Sequence, residues 1–204
     1  AAWTWGSYEM EGGEEVYADG SGMASDTPEV RRCGWSVVEL RREGIPGKAI
    51  YGGLPGLLQT VGRAERFAGY KAMQSNPSLK LIVSDLLGFV NEGNSWDEYQ
   101  ASARGTHATI WRKLRQQCEQ QHRQPPSFQW VPAHLDLQQA LDKGVHPVRW
   151  LGNQWADYFA KAGAKTIAVD SGKVREVQDR LKGAVQRARL YAWTMASIIA
   201  SKRW

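Results

Sequence analysis

Residues 14–22, Glu14-Glu15-Val16-Tyr17-Ala18-Asp19-Gly20-Ser21-Gly22, decide the fold. The apolar run Val16-Tyr17-Ala18 leads into an aspartate and then a Gly-Ser pair. The stretch therefore reads as a buried strand that ends at Asp19 in a turn. A carboxylate at the end of a buried strand is costly unless something compensates its desolvation. A second run, Leu81-Ile82-Val83-Ser84-Asp85, ends in the same way. Two further acids lie on segments of helical periodicity: Glu65 in Arg63-Ala64-Glu65, and Asp157 in Asn153-Gln154-Trp155-Ala156-Asp157. Four carboxylates brought together repel one another strongly without a cation. Divalent metal held by oxygen ligands resolves the repulsion, and two such ions on a phosphodiester make a hydrolytic site.

Working outward, residues 1–13 have no clear periodicity and read as a loose lead-in. Cys33 to Leu40 and residues 47–53 read as a second and third strand, joined through a polar loop at 23–32 into an antiparallel meander. Arg63 to Gln74 has a helical apolar face and stops at Asn76-Pro77. Leu79 to Ser84 has the continuous apolar character of a strand buried on both faces. A short helix is expected from Leu86, a longer one over Thr106 to His122, and a last strand over Phe128 to Val131. Residues 135–149 read as an irregular connection, and Asn153 to Ala164 as a helix. The order β-β-β-α-β-α-α-β-α predicts an α/β domain over 14–166, with five strands in a mixed sheet flanked by helices. Its last two strands should run parallel to the first.

The chain has 204 residues and a net charge of +5. Residues 171–204 carry eight basic side chains against two acidic ones, a net +6, which leaves residues 1–170 at −1. The basicity belongs to the tail. There, Val174, Val177, Leu181, Ala184, Ala188, Tyr191, Met195 and Ile198 recur at alternating spacings of three and four, a heptad stripe on a basic amphipathic helix. That helix is expected to dock on the α/β domain, to meet another chain through 174–198, or to track a nucleic-acid backbone. The two cysteines, Cys33 and Cys118, have neither metal-ligand nor disulfide-framework spacing. No run is long enough to span a membrane, and no signal peptide opens the chain. The missing initiator Met points to a processed or excised piece, and the composition to an intracellular protein.

In order along the chain, Tyr17-Ala18-Asp19-Gly20-Ser21, Gln59-Thr60, Arg63-Ala64-Glu65, Ile82-Val83-Ser84-Asp85, Trp130-Val131-Pro132-Ala133-His134 and Asn153-Gln154-Trp155-Ala156-Asp157 resemble the type 1 ribonuclease H family, including the domains of retroelement reverse transcriptases. The resemblance covers roughly 14–166. It implies the ribonuclease H-like fold and a metal-dependent endonuclease acting on the RNA strand of RNA/DNA hybrids. Asp19, Glu65, Asp85 and Asp157 would hold two Mg²⁺ ions, replaceable by Mn²⁺, and the products would be a 5′-phosphate and a 3′-hydroxyl. His134 would be the proton shuttle. Gly20, Ser21, Thr60, Arg63 and Asn153 would meet substrate. A reverse transcriptase domain in the parent polypeptide is a possible partner, and no membrane is expected.

The sequence also departs from the family. The family's minor-groove Asn positions hold Val61 and Gly62, and Leu86-Leu87 follow the third carboxylate in place of a polar pair. The span from His134 to Asp157 is longer than the family's, which offers His146 as an alternative shuttle. Residues 93–107 are too short and acidic, through Asp97 and Glu98 against Arg104, for the basic protrusion that some members carry. A patch at Arg112, Lys113 and Arg115 or the basic tail is the expected substitute. Two other functions fit the same residues: another nuclease of this fold, such as a junction resolvase or integrase-like enzyme, and a non-catalytic binding or scaffolding domain working through the tail.

Overall fold

The structure is a computed structural model that describes residues 2–5, 13–23, 27–41, 44–95 and 105–201. The expectations that rested on Asp97, Glu98, Arg104, Lys202 and Arg203, and on most of the lead-in, lie outside the described residues. The elements are β1 (Ala2–Trp5), β2 (Glu15–Met23), β3 (Arg32–Leu40), β4 (Pro46–Gly53), α1 (Val61–Ser75), β5 (Leu81–Ser84), α2 (Leu87–Ser95), α3 (Ala108–Gln120), β6 (Ser127–Trp130), α4 (Leu137–Asp142), α5 (Pro147–Lys165) and α6 (Ser171–Ser201). The chain divides into two compact units, one of residues 1–23 and 32–168, the other of residues 24–31 and 169–204.

In the larger unit the sheet order is β1-β4-β3-β2-β5-β6. Strands β2, β3 and β4 form the expected antiparallel meander, and β5 and β6 lie parallel to β2 and to each other. The five expected strands are present, and a sixth joins them at the edge. Residues 2–5, expected within a loose lead-in, pair antiparallel with β4 from Ala2 opposite Gly52 to Trp5 opposite Ala49. The expected Gly-Ser turn after Asp19 is also corrected. Strand β2 continues through Gly20, Ser21 and Gly22, which pair with Trp35, Gly34 and Cys33 of β3. Ladder hydrogen bonding here overrides the turn preference of Gly and Ser.

Side chains alternate along β2 and so divide the core in two. Val16 and Ala18 join Trp35, Val37, Ala64, Ala68, Phe89 and Leu114 beneath α1, α2 and α3. Tyr17 faces the other way, with Val38, Val83, Ala156 and Phe159 beneath α5. Both helical layers approach the sheet closely. A Cβ on Gly34 would lie 2.1 Å from the Ala164 nitrogen of α5, and one on Gly20 would lie 2.5 Å from the Glu65 nitrogen of α1. Only glycine permits those approaches.

The connection at 135–149 is not irregular. Asp136 accepts from the Gln139 amide at 2.8 Å, Gln139 reciprocates at 3.1 Å, and this capping box starts α4. Helix α5 begins at Pro147, six residues before the expected Asn153, with Pro at its first turn and His146 as its N-cap.

In the smaller unit α6 is a single 31-residue helix, and none of its residues is buried. Leu181, Val185, Tyr191, Met195 and Ile198 are exposed along it. Gln178 donates to Thr27 Oγ1 at 3.3 Å. Among the described residues, no helix is long and apolar enough to cross a membrane.

Candidate active site

Three carboxylates meet where β2, β5 and α1 come together. Asp19 and Glu65 are almost fully buried, 5% and 2% exposed, and Asp85 is half-buried at the end of β5. Each offers an oxygen within 4.8 Å of those of the other two. Gly20 makes the convergence possible, because the missing side chain lets the first turns of α1 lie against β2 and bring Glu65 beside Asp19. Thr60 caps α1, its Oγ1 accepting from the Arg63 amide at 3.3 Å. Ser84 Oγ donates to Glu65 Oε2 at 3.2 Å.

Burial in this setting disfavours the ionised forms. Asp19 is pushed up to about 7, by burial first, with the charges of Asp85 and Asp157 adding and the hydrogen bond from Glu65 subtracting. Glu65 is held well above the usual carboxylate range by burial and by the charge of Asp19. Both acids therefore hold protons more tightly than solvated carboxyls do. Asp85 is raised by burial, against which the Asn153 hydrogen bond and the positive charge of His134 act.

Asp157 stands apart from this trio. It is half-buried on α5, and Lys161, one turn on, donates to its Oδ2 at 2.6 Å. Its charge still reaches both Asp19 and Asp85. Helix α5 is fixed to the sheet immediately beside it, where Ser36 Oγ donates to the Ala156 carbonyl at 2.6 Å. Ser36 is fully buried and sits directly opposite Asp19 in the β2–β3 register. Ser36 and Lys161 are contributors that the sequence did not single out, and Ser84 stands in the motif with Asp85 without a role of its own there.

Two residues expected to meet substrate are placed otherwise. Gly20 is buried against α1. Asn153 is 4% exposed, and its Nδ2 donates to Asp85 Oδ2 at 3.2 Å, which makes it a positioning group for that carboxylate. Its Oδ1 is buried without a partner. Ser21 and Thr60 stay half-buried near the site, and Arg63 reaches Thr109 Oγ1 at 3.5 Å. His134 is exposed in the loop after β6, with a left-handed backbone (φ 55°) that non-glycine residues adopt at a cost. His146 is occupied as the N-cap of α5, its Nδ1 accepting from the Val148 amide at 3.3 Å.

No family model and no curated protein matches the chain. Solved structures do. The prototype foamy virus protease-reverse transcriptase superposes with a TM-score of 0.57 at 17% identity, over 81% of this chain and 23% of that one. This chain thus spans about a quarter of that relative. LC9-RNase H1, a type 1 RNase H with the type 2 active-site motif, gives 0.53 at 18% identity over 85% and 83% of the two chains. LC11-RNase H1 in complex with an RNA/DNA hybrid gives 0.51 at 16% identity over 74% and 96%. The chain has the ribonuclease H-like fold, as the resemblance of its motifs implied.

Proposed function

We propose that this chain is a metal-dependent endonuclease that hydrolyses the RNA strand of RNA/DNA hybrids. The observation that carries the proposal is the buried meeting of Asp19, Glu65 and Asp85, whose oxygens lie within 4.8 Å of one another. Three carboxylates held this way, with raised affinity for protons, are a site under electrostatic strain that a divalent cation relieves. The donor set is oxygen only, which fits Mg²⁺ or Mn²⁺ and not a thiolate- or imidazole-seeking metal.

Asp19, Glu65 and Asp85 would hold divalent cation, with Asp157, beside Lys161, as the fourth carboxylate of the site. Bound there, the ions supply an activated water and a counter-charge for the leaving 3′ oxygen, giving a 5′-phosphate and a 3′-hydroxyl. The protein's own groups do the rest. Asn153 and Ser84 orient Asp85 and Glu65. Ser36 holds α5, and with it Asp157, at its station. His134 is the proton carrier, because its charge acts on Asp85 and its loop leaves it open to solvent. His146, engaged in capping α5, is not needed for that role.

The same fold in a protease-reverse transcriptase supports placing this chain beside a reverse transcriptase domain in a longer polypeptide. The testing experiment is cleavage of a strand-labelled RNA/DNA hybrid with and without Mg²⁺, beside RNA/RNA and DNA/DNA duplexes of the same sequence. Mg²⁺-dependent loss of the hybrid's RNA strand alone is the expected result. Cleavage of branched DNA in preference to hybrid would replace the proposal with a resolvase-like one.

A further inference from the structure

The solvent face of α1 and α3 differs in charge from the rest of its unit. Residues 1–170 carry a net charge of −1. These two helices nevertheless present Arg63, Lys71, Arg112, Lys113 and Arg115 against Glu119. The two remaining charged residues of the pair are committed elsewhere. Glu65 is buried among the site's carboxylates, and Arg66 is 6% exposed and engaged with Glu92.

The helices lie side by side and run in the same direction, both away from the carboxylates. At the near end Arg63 meets Thr109. Farther along, Lys71 and Lys113 converge on one ring, their Nζ atoms 5.7 and 5.6 Å from the centroid of Tyr70. Each ammonium gains from the face of the ring. They also repel each other: burial and then the charge of Lys113 push Lys71 below the usual lysine range. Among the described residues no carboxylate lies within ion-pair distance of either. Lys71 donates only to the neutral Gln74 Oε1, at 2.7 Å. Two ammoniums crowded on an aromatic ring, with the repulsion left uncompensated, form a site shaped for an external anion.

Resting on the nuclease reading, we infer that the α1–α3 face is a second backbone-binding surface, on which Lys71 and Lys113 hold a phosphate of the substrate strand as it leaves the carboxylate site. Lys71 follows Glu65 by six residues, roughly 9 Å along the helix axis. That separation brings a phosphate a few nucleotides from the scissile bond over the lysine pair. Arg63 stands at the carboxylate end of the same face, and Arg112 and Arg115 extend the track. Tyr70 gives a flanking base or sugar an aromatic surface between the cations. The surface supplies cationic contacts that the stretch before α3 lacks the composition to provide.

The test is binding of the full chain to a labelled RNA/DNA hybrid in Ca²⁺, across a salt series, for the wild type, Lys71→Gln/Lys113→Gln and Lys71→Arg/Lys113→Arg. A control, Lys48→Gln/Lys80→Gln, removes two charges elsewhere on the same unit. The Gln pair should weaken binding about tenfold at physiological salt and flatten the log Kd–log salt slope by about 1–2, the loss of one or two phosphate contacts. The Arg pair should bind like wild type, and the control should shift the slope by less than half a unit. A Gln pair indistinguishable from the control overturns the inference. Cleavage by the wild type in Mg²⁺ reads the nuclease proposal separately. A lysine-dependent slope without cleavage leaves this surface standing and removes that proposal, and cleavage with an unchanged slope does the reverse.

Discussion

Ser36 Oγ donates to the carbonyl of Ala156 at 2.6 Å, across 120 residues of sequence and wholly inside the protein. One neighbour of this bond is Asp19, paired with Ser36 across the β2–β3 ladder, and the other is Asp157, next along α5. The bond thus sets the distance between two carboxylates that lie on different layers. Ser36→Ala should cost about 1 kcal/mol of stability, the net value of such a hydrogen bond. Its effect on turnover should exceed that, through a raised Mg²⁺ concentration for half-maximal cleavage. Urea denaturation and a Mg²⁺ titration check this together. A stability loss with an unaltered Mg²⁺ response would reduce Ser36 to a packing residue.

Asp19→Asn separates metal binding from folding. The amide removes a charge that burial and the charges of Asp85 and Asp157 oppose, so the metal-free variant should be more stable than the wild type at pH 8. The gain should be on the order of 2–4 kcal/mol. Cleavage should be lost, because the central oxygen ligand is gone, while hybrid binding through phosphate contacts persists. Such an exchange of stability for function is common where a site stores electrostatic strain. The measurement is chemical denaturation in EDTA beside a cleavage assay. Equal turnover by variant and wild type would sink the metal model.

The five strands were legible because they are local events, apolar runs of strand length, two of which lead to Asp19 and Asp85; Glu65 and Asp157 stood on segments of helical periodicity. What escaped was either too short or set by tertiary contact. The alternation of Trp3 and Trp5 about Thr4 is a strand pattern, but four residues give it little weight. Helix α4 announced itself through the capping pair Asp136 and Gln139, and the start of α5 through Pro147. Both signals lay inside 135–149, a stretch that reads as an irregular connection. Gly20-Ser21 favours a turn locally, and only its pairing with β3 and the approach of α1 make it strand. Ser36 and Lys161 carry no motif, and Ser84 stands in one without a role of its own in the sequence. Their relevance exists only once β3, β5 and α5 are assembled.

The two histidines near the long connection should behave differently. His134→Ala should slow turnover by roughly 10- to 100-fold, less than loss of a carboxylate, with folding stability unchanged because the side chain is exposed. His146→Ala should leave the chemical step alone and lower stability by about 0.5–1 kcal/mol through loss of the α5 cap. Single-turnover rates and thermal denaturation of the two variants distinguish them. A larger rate loss from His146→Ala than from His134→Ala would reverse the assignment.

The raised carboxyls also fix how stability depends on pH. An unfolded aspartate titrates near 4, and Asp19 in the folded chain is pushed up to about 7, with Glu65 raised in the same direction. Between those values the folded state holds more protons than the unfolded one, so stability falls as pH rises; the Asp19 share of the penalty is complete above about 7, and Glu65 adds in the same direction. The metal-free chain should therefore be more stable at pH 5.5 than at pH 8, by a few kcal/mol. A bound divalent cation competes with the protons these carboxyls retain, so Mg²⁺ or Mn²⁺ should stabilise strongly at pH 8 and weakly at pH 5.5, with release of protons on binding. Urea denaturation at both pH values, in EDTA and in Mn²⁺, gives all four quantities. Greater stability at pH 8 than at pH 5.5 in EDTA would mean that Asp19 and Glu65 ionise without penalty, and that the trio is not the strained cation site argued for here.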